Sequence, residues 1–119
     1  MQKHIIQFIN AIKKQKYFEA HEYLEEIWFP RRFENSNEIK MLKGFINAAV
    51  SFELHKRKKE KRSIQVWSNY LKYRQLLFKL PSTYKNDFYK VVRFLDSYHL
   101  KTFSYLNDVE ILELSFEVV

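Results

Sequence analysis

The pattern of residues points to an all-α fold, a compact bundle or array of about five helices. Three observations carry that expectation. A single Gly and two Pro in 119 residues are too few for the many tight turns of sandwiches, barrels or doubly wound sheets. Apolar residues recur at three- and four-residue steps along most of the chain, the period of a helix with one buried stripe. With 46% hydrophobic and 18% aromatic residues, the chain also has enough apolar side chain to build one core. A single domain over residues 1–119 is expected.

The first stripe, Ile5, Phe8, Ile9 and Ile12, places a helix over about residues 3–15. After a polar run, Tyr17 to Phe29 resumes the period, and Pro30 is expected to end it. Ser36 or Asn37 can cap a third helix running from about Glu38 into the mid-fifties, with Leu42, Phe45, Ile46, Ala49 and Glu53 on one side. Ser63 is the expected cap of a fourth helix ending near Leu80, before Pro81. Asn86 or Asp87 is the expected start of a fifth, carrying Phe88, Val91, Val92, Leu95 and Tyr98. Strict alternation over Leu112–Val118 suits a half-buried strand, which Lys101–Leu106 can meet in a short C-terminal β-hairpin. The same residues also fit one stripe of a terminal helix, and both readings stand.

On the second helix, His21, Glu25 and Trp28 share a sector flanked by Tyr17, Phe18 and Leu24, at about 100° per residue. That sector is expected to face inward, where an imidazole and a carboxylate need polar partners, and their i, i+4 spacing lets them pair. The bland reading is a hydrogen-bonded polar cluster that fixes how two helices dock. The functional reading makes His21 and Glu25 a catalytic acid/base pair, or ligands of a divalent metal completed by Glu53 from the third helix. The spacing departs from both the His-Glu-x-x-His zinc pattern and the Glu-x-x-His pattern of two-metal carboxylate bundles.

The stretch Tyr17-Phe18-Glu19-Ala20-His21-Glu22-x-Leu24-Glu25-Glu26-x-Trp28, followed by Leu42-Lys43-Gly44-Phe45-Ile46-Asn47-x-Ala49, resembles the domain-of-unknown-function family 309 (DUF309). The resemblance covers about residues 8–80 and leaves 82–119 as a C-terminal extension. It implies a compact helical domain, with the His-Glu helix packed on the helix that bears the Gly, and no established activity. The matching motif positions are Phe18, His21, Glu22, Glu25, Trp28 and Gly44, with Asn47 where a Gln is usual. Gly44, the only glycine, is expected to let helices 2 and 3 approach closely. Past helix 3 the chain departs from the family: Phe52-Glu53-Leu54-His55 puts the His one place out of register, and a glycine-free basic run replaces a Gly-rich turn.

Residues 56–62 hold six cations (Lys56, Arg57, Lys58, Lys59, Lys61, Arg62) and one anion, much of a formal net charge of +7. Such a run attracts phosphate backbones, and Trp67, Tyr70 and Tyr73 are candidate stacking surfaces, the minimum for a single-stranded nucleic acid site. The bland alternative is that it complements the negative end of the third helix. The absence of cysteine excludes disulfides and thiol chemistry. The N-terminus lacks an apolar leader, and no stretch approaches a membrane span, so a cytoplasmic protein with no integral membrane association is expected. The leading expectation is a structural or interaction domain, with homodimerisation through apolar helix faces or the tail. Hydrolysis at the His/Glu cluster is the alternative, and nucleic-acid binding by the basic run the second.

Overall fold

A computed structural model describes residues 1–102, which form five α-helices and no strand. They are α1 (Gln2–Lys13), α2 (Tyr17–Trp28), α3 (Asn37–Lys56), α4 (Glu60–Arg74) and α5 (Ser82–Thr102). Short 3-10 turns at Phe29–Arg31 and Gln75–Lys79 extend α2 and α4. Lys101 and Thr102, which the hairpin reading placed in a strand, instead close α5. The remainder of the expected hairpin lies outside the described residues.

The helices run up and down. The end of α3 returns to the start of α2, where the Lys56 Nζ lies 5.8 Å from the Tyr17 ring centroid. The end of α4 returns to the start of α3, where Asn37 donates to the Lys79 carbonyl. Helix α3 is the centre of the arrangement, packing against α2, α4 and α5. Nine of its residues, from Ile39 to Phe52, are buried, so it is apolar around most of its circumference rather than along one stripe. The core continues through Phe8 and Ile12 of α1, Ala20 and Leu24 of α2, Trp67 and Tyr70 of α4, and Phe88, Val91 and Leu95 of α5.

Helices α1 and α3 end in the same way, and neither uses glycine. In each, the residue after the cap adopts a left-handed backbone, Gln15 at φ 59° and Lys58 at φ 62°. The Gln15 and Lys58 amides donate to Ile12 and His55, and the next amides, Lys16 and Lys59, reach back to Ala11 and Leu54. These are Schellman closures, which satisfy the terminal carbonyls and for which Gly is the usual residue.

Several boundaries differ from expectation. Helix α4 begins at Glu60, and Ser63 lies one turn inside it, fully buried. Its hydroxyl donates to the Ser51 carbonyl (2.8 Å) while the Ser51 hydroxyl donates to the Ser63 carbonyl (2.7 Å). The serine pair thus stitches α3 to α4 instead of capping a helix. Ser36 does occupy the cap of α3 in extended backbone, but its side chain makes no capping bond. Helix α5 starts at Ser82, a turn before Asn86, because the Pro81 carbonyl accepts from the Tyr84 amide and opens the first turn there. Pro30 does not halt α2 abruptly, since a proline needs no amide partner in the first turn of the 3-10 segment that carries the path on to Arg31.

Gly44 is buried, but the helix it admits is α4 rather than α2. A Cβ on Gly44 would meet the Tyr73 Cβ at 2.7 Å. Together with Ala48 and Ser51, it gives α3 a face of small residues on which α4 lies.

Candidate functional site

Helix α2 puts His21 and Glu25 one turn apart, and they meet as expected: the imidazole Nε2 lies 2.9 Å from Glu25 Oε2. The pair is not interior. The His21 side chain is 25% exposed and that of Glu25 40%. The inward face of α2 is set by Tyr17, Ala20 and Leu24, with Ile27 packed behind them. Relative to the centre of that face, His21 lies roughly 90° round the helix and Glu25 further still. The small Ala20, fully buried, marks the inward direction, whereas the bulky Phe18 is 61% exposed.

The neighbours of the pair are aromatic and cationic. The Phe18 ring lies 5.8 Å from the His21 ring, and Trp28, half-buried, has the Lys43 ammonium 5.9 Å from its ring centroid. Beyond them the Arg32 guanidinium stacks over Phe29 (3.7 Å) and Phe33 (4.4 Å). His21 Nδ1 is shut off from solvent and has no hydrogen-bond partner.

The other motif positions are dispersed. Glu22 is exposed on the outer face of α2. Asn47 turns back on its own helix and donates to the Lys43 carbonyl at 2.8 Å. Glu53 is not brought to the pair: its carboxylate accepts from Arg57 at 3.1 Å, one turn along α3, and lies beside Tyr17 at the start of α2. Among the described residues no three His, Asp or Glu side chains are gathered as a metal would require. A second imidazole–carboxylate contact, His4 Nε2 to Glu26 Oε2 at 3.1 Å, ties α1 to α2. Periodicity within one helix cannot reveal it, because the partners are 22 residues apart on different helices.

The ends of α3 and α5 hold a separate aromatic layer. The His99 ring stacks on Trp67 with centroids 3.8 Å apart, and Phe52 and Tyr98 close round it. Burial, with a smaller contribution from nearby His55, lowers the His99 pKa from 6.5 to about 4. Burial likewise lowers that of His55, against the opposing pull of Glu60. His55 thus belongs to this layer, together with Thr102, and not to the His21 surface. The Tyr17 and Tyr98 hydroxyls bond to each other in the same region. On its far side, the Tyr70 hydroxyl donates to Asp96 at 2.9 Å, and Arg74 binds the other oxygen of that carboxylate.

The cations of the basic run lie at the α3–α4 corner, where Lys58, Lys59, Lys61 and Arg62 with Glu60 line a shallow, open depression. Lys56 and Arg57 close α3, the first donating to the Gln15 carbonyl and the second to Glu53. Two of the three aromatics considered as stacking surfaces, Trp67 and Tyr70, are buried in the core, and Tyr73 packs over Gly44. Trp67 and Tyr70 hold helices together and are not available to bases. No helix among the described residues is long and apolar enough to cross a membrane.

No curated protein and no solved structure matches the chain. The DUF309 family model, a domain of unknown function, matches residues 5–66, from α1 into α4. That span takes in the His21–Glu25 helix and Gly44 and leaves α5 outside it. It covers more than half of the 119 residues, and the chain belongs to the DUF309 family.

Proposed function

We propose that this domain works by binding rather than by catalysis. On this reading it is a helical interaction module whose contact surface is the outer face of α2 and whose partner is the same face of a second copy. The observation that carries the proposal is the company kept by His21 and Glu25. Phe18 is 61% exposed, Phe29 52% and Phe33 88%, and Arg32 stands between the last two. Exposed rings with an arginine among them are the composition enriched at the energetic centres of protein interfaces.

The charges favour self-pairing. Glu19, Glu22 and Glu25 occupy the first turns of α2, and Arg32 follows its end, next to an Arg31 that Glu34 and Glu38 bind. Two copies related by a twofold axis, with their α2 helices antiparallel, set the acidic start of one against the basic end of the other. The His21–Glu25 pair flanks this face, with part of each side chain exposed for a contact across the interface. Hydrolysis at the pair has less support, since Glu53 is turned towards Arg57 and the pair sits on an outward-facing helix surface.

Sedimentation equilibrium of the full chain, from micromolar to near-millimolar concentration, tests this reading. A dimer weakened by salt is expected, and Phe18→Ala/Phe29→Ala is expected to be monomeric with unchanged helical circular dichroism. A wild-type chain that stays monomeric throughout would overturn it. So would one-to-one uptake of zinc or manganese abolished by His21→Ala, which would hand the pair to metal-assisted chemistry.

A further inference from the structure

The basic run of residues 56–62 is only one part of a larger electropositive surface. Three corners of the fold meet at one end of the bundle: the α1–α2 turn, the α3–α4 turn and the end of α5. The Lys56 ammonium donates to the Gln15 carbonyl at 3.2 Å, joining the first two. The end of α5 reaches the end of α3 through a hydrogen bond between Thr102 and His55. Lys13, at the end of α1, lies 5.9 Å from the Phe94 ring of α5. Among the described residues, the end therefore gathers Lys13, Lys14 and Lys16 with Lys56, Arg57, Lys58, Lys59 and Arg62 of the run, eight of the chain's 21 lysines and arginines, against Glu19, Glu53 and Glu60.

Helix dipoles do not account for this surplus. Three helix C-termini and two N-termini meet here, at about half a charge each, so they leave only about −0.5 to be neutralised. One lysine would suffice.

We infer that this composite end binds the phosphate backbone of a nucleic acid, without reading base sequence. Cations on the joined α1–α2 and α3–α4 corners present several charges across the end of the bundle, which matches a chain of regularly spaced phosphates better than a single anion. The buried Trp67 and Tyr70 leave the contact electrostatic, with no stacking from that stripe. The surface is also made of helix ends, whereas a helix that binds a lipid surface lies flat with its apolar face along the bilayer. This surface is distinct from the outer face of α2, so neither reading depends on the other.

Fluorescence anisotropy with a labelled oligouridylate and a labelled random-sequence DNA strand tests the inference on the full chain. Both are expected to bind, with affinity falling steeply as salt rises. Lys14→Gln/Lys16→Gln, outside the run, and Lys58→Gln/Lys59→Gln, inside it, are each expected to weaken binding about 5- to 10-fold at low salt. Each should also flatten the salt slope by roughly 1.4, about 0.7 per lost contact. Lys79→Gln/Lys85→Gln, at the opposite end of the bundle, is expected to bind like the wild type. All these side chains except Lys85 and Lys79 lie at the composite end, and all are exposed, so circular dichroism should show folded variants. Loss confined to Lys58→Gln/Lys59→Gln would reduce the site to the linear run and overturn the composite surface. Absence of salt-dependent binding would overturn it outright, as would tighter binding to phosphatidylserine vesicles than to either strand.

Discussion

Gly44 on α3 and Tyr73 on α4 are in backbone-to-side-chain contact so close that a methyl group on Gly44 would stand 2.7 Å from the Tyr73 Cβ. The atom in the way is the root of the tyrosine side chain, which cannot swing aside without moving α4. Gly44→Ala is therefore expected to destabilise by about 1–3 kcal/mol through overpacking, despite the gain of about 0.5–1 kcal/mol that Ala normally brings to a helix interior. Urea denaturation measures it, and a stabilised variant would show that the helices can part at no cost.

The two Schellman closures predict the opposite response to glycine. Gln15 and Lys58 hold left-handed backbone that costs a residue with a Cβ roughly 1–2 kcal/mol. Gln15→Gly and Lys58→Gly are each expected to raise stability by about 0.5–1 kcal/mol, after the extra entropy glycine loses on folding is subtracted. Thermal melts of the single variants check this.

Acid sensitivity should trace to the aromatic layer. His99 is held neutral in the fold, with its pKa lowered to about 4, while the unfolded chain takes up a proton near pH 6.5. The unfolded state therefore binds more protons between those values. Stability from this residue is complete above about pH 6.5, falls as the pH drops towards 4 and levels off below it. The slope is at most about 1.4 kcal/mol per pH unit for one such group. His99→Phe, which preserves a ring against Trp67, is expected to flatten the decline between pH 6.5 and 4. An unchanged slope would assign the loss to other groups, His55 first.

The helices and their core were legible because burial imposes a 3.6-residue period on Ile5, Phe8 and Ile12, and on Phe88, Val91 and Leu95. What periodicity cannot supply is the neighbour. It showed that Gly44 needed space but not that α4 would use it. It offered Ser63 as a cap when the residue makes a buried bond with Ser51 on another helix. Helix ends were misjudged for a related reason: α1 to α4 use no side-chain N-cap bond, and α1 and α3 close without glycine. The His21–Glu25 pair was visible from its spacing, but its direction was not. Phe18 and Trp28 weigh heavily on a helical wheel, yet Ala20 and Ile27 define the buried side.

The coupling free energy between His21 and Glu25 bears most directly on the claim that this pair is a surface contact group and not a clamp within the core. A double-mutant cycle with His21→Ala, Glu25→Ala and both together, measured by urea denaturation of the monomer, supplies it. A partly exposed i, i+4 pair is expected to couple by no more than about 0.5 kcal/mol, with each single variant losing less than about 1 kcal/mol. A coupling above about 2 kcal/mol would mean that the fold itself depends on the pair, and would contradict its assignment to a binding surface.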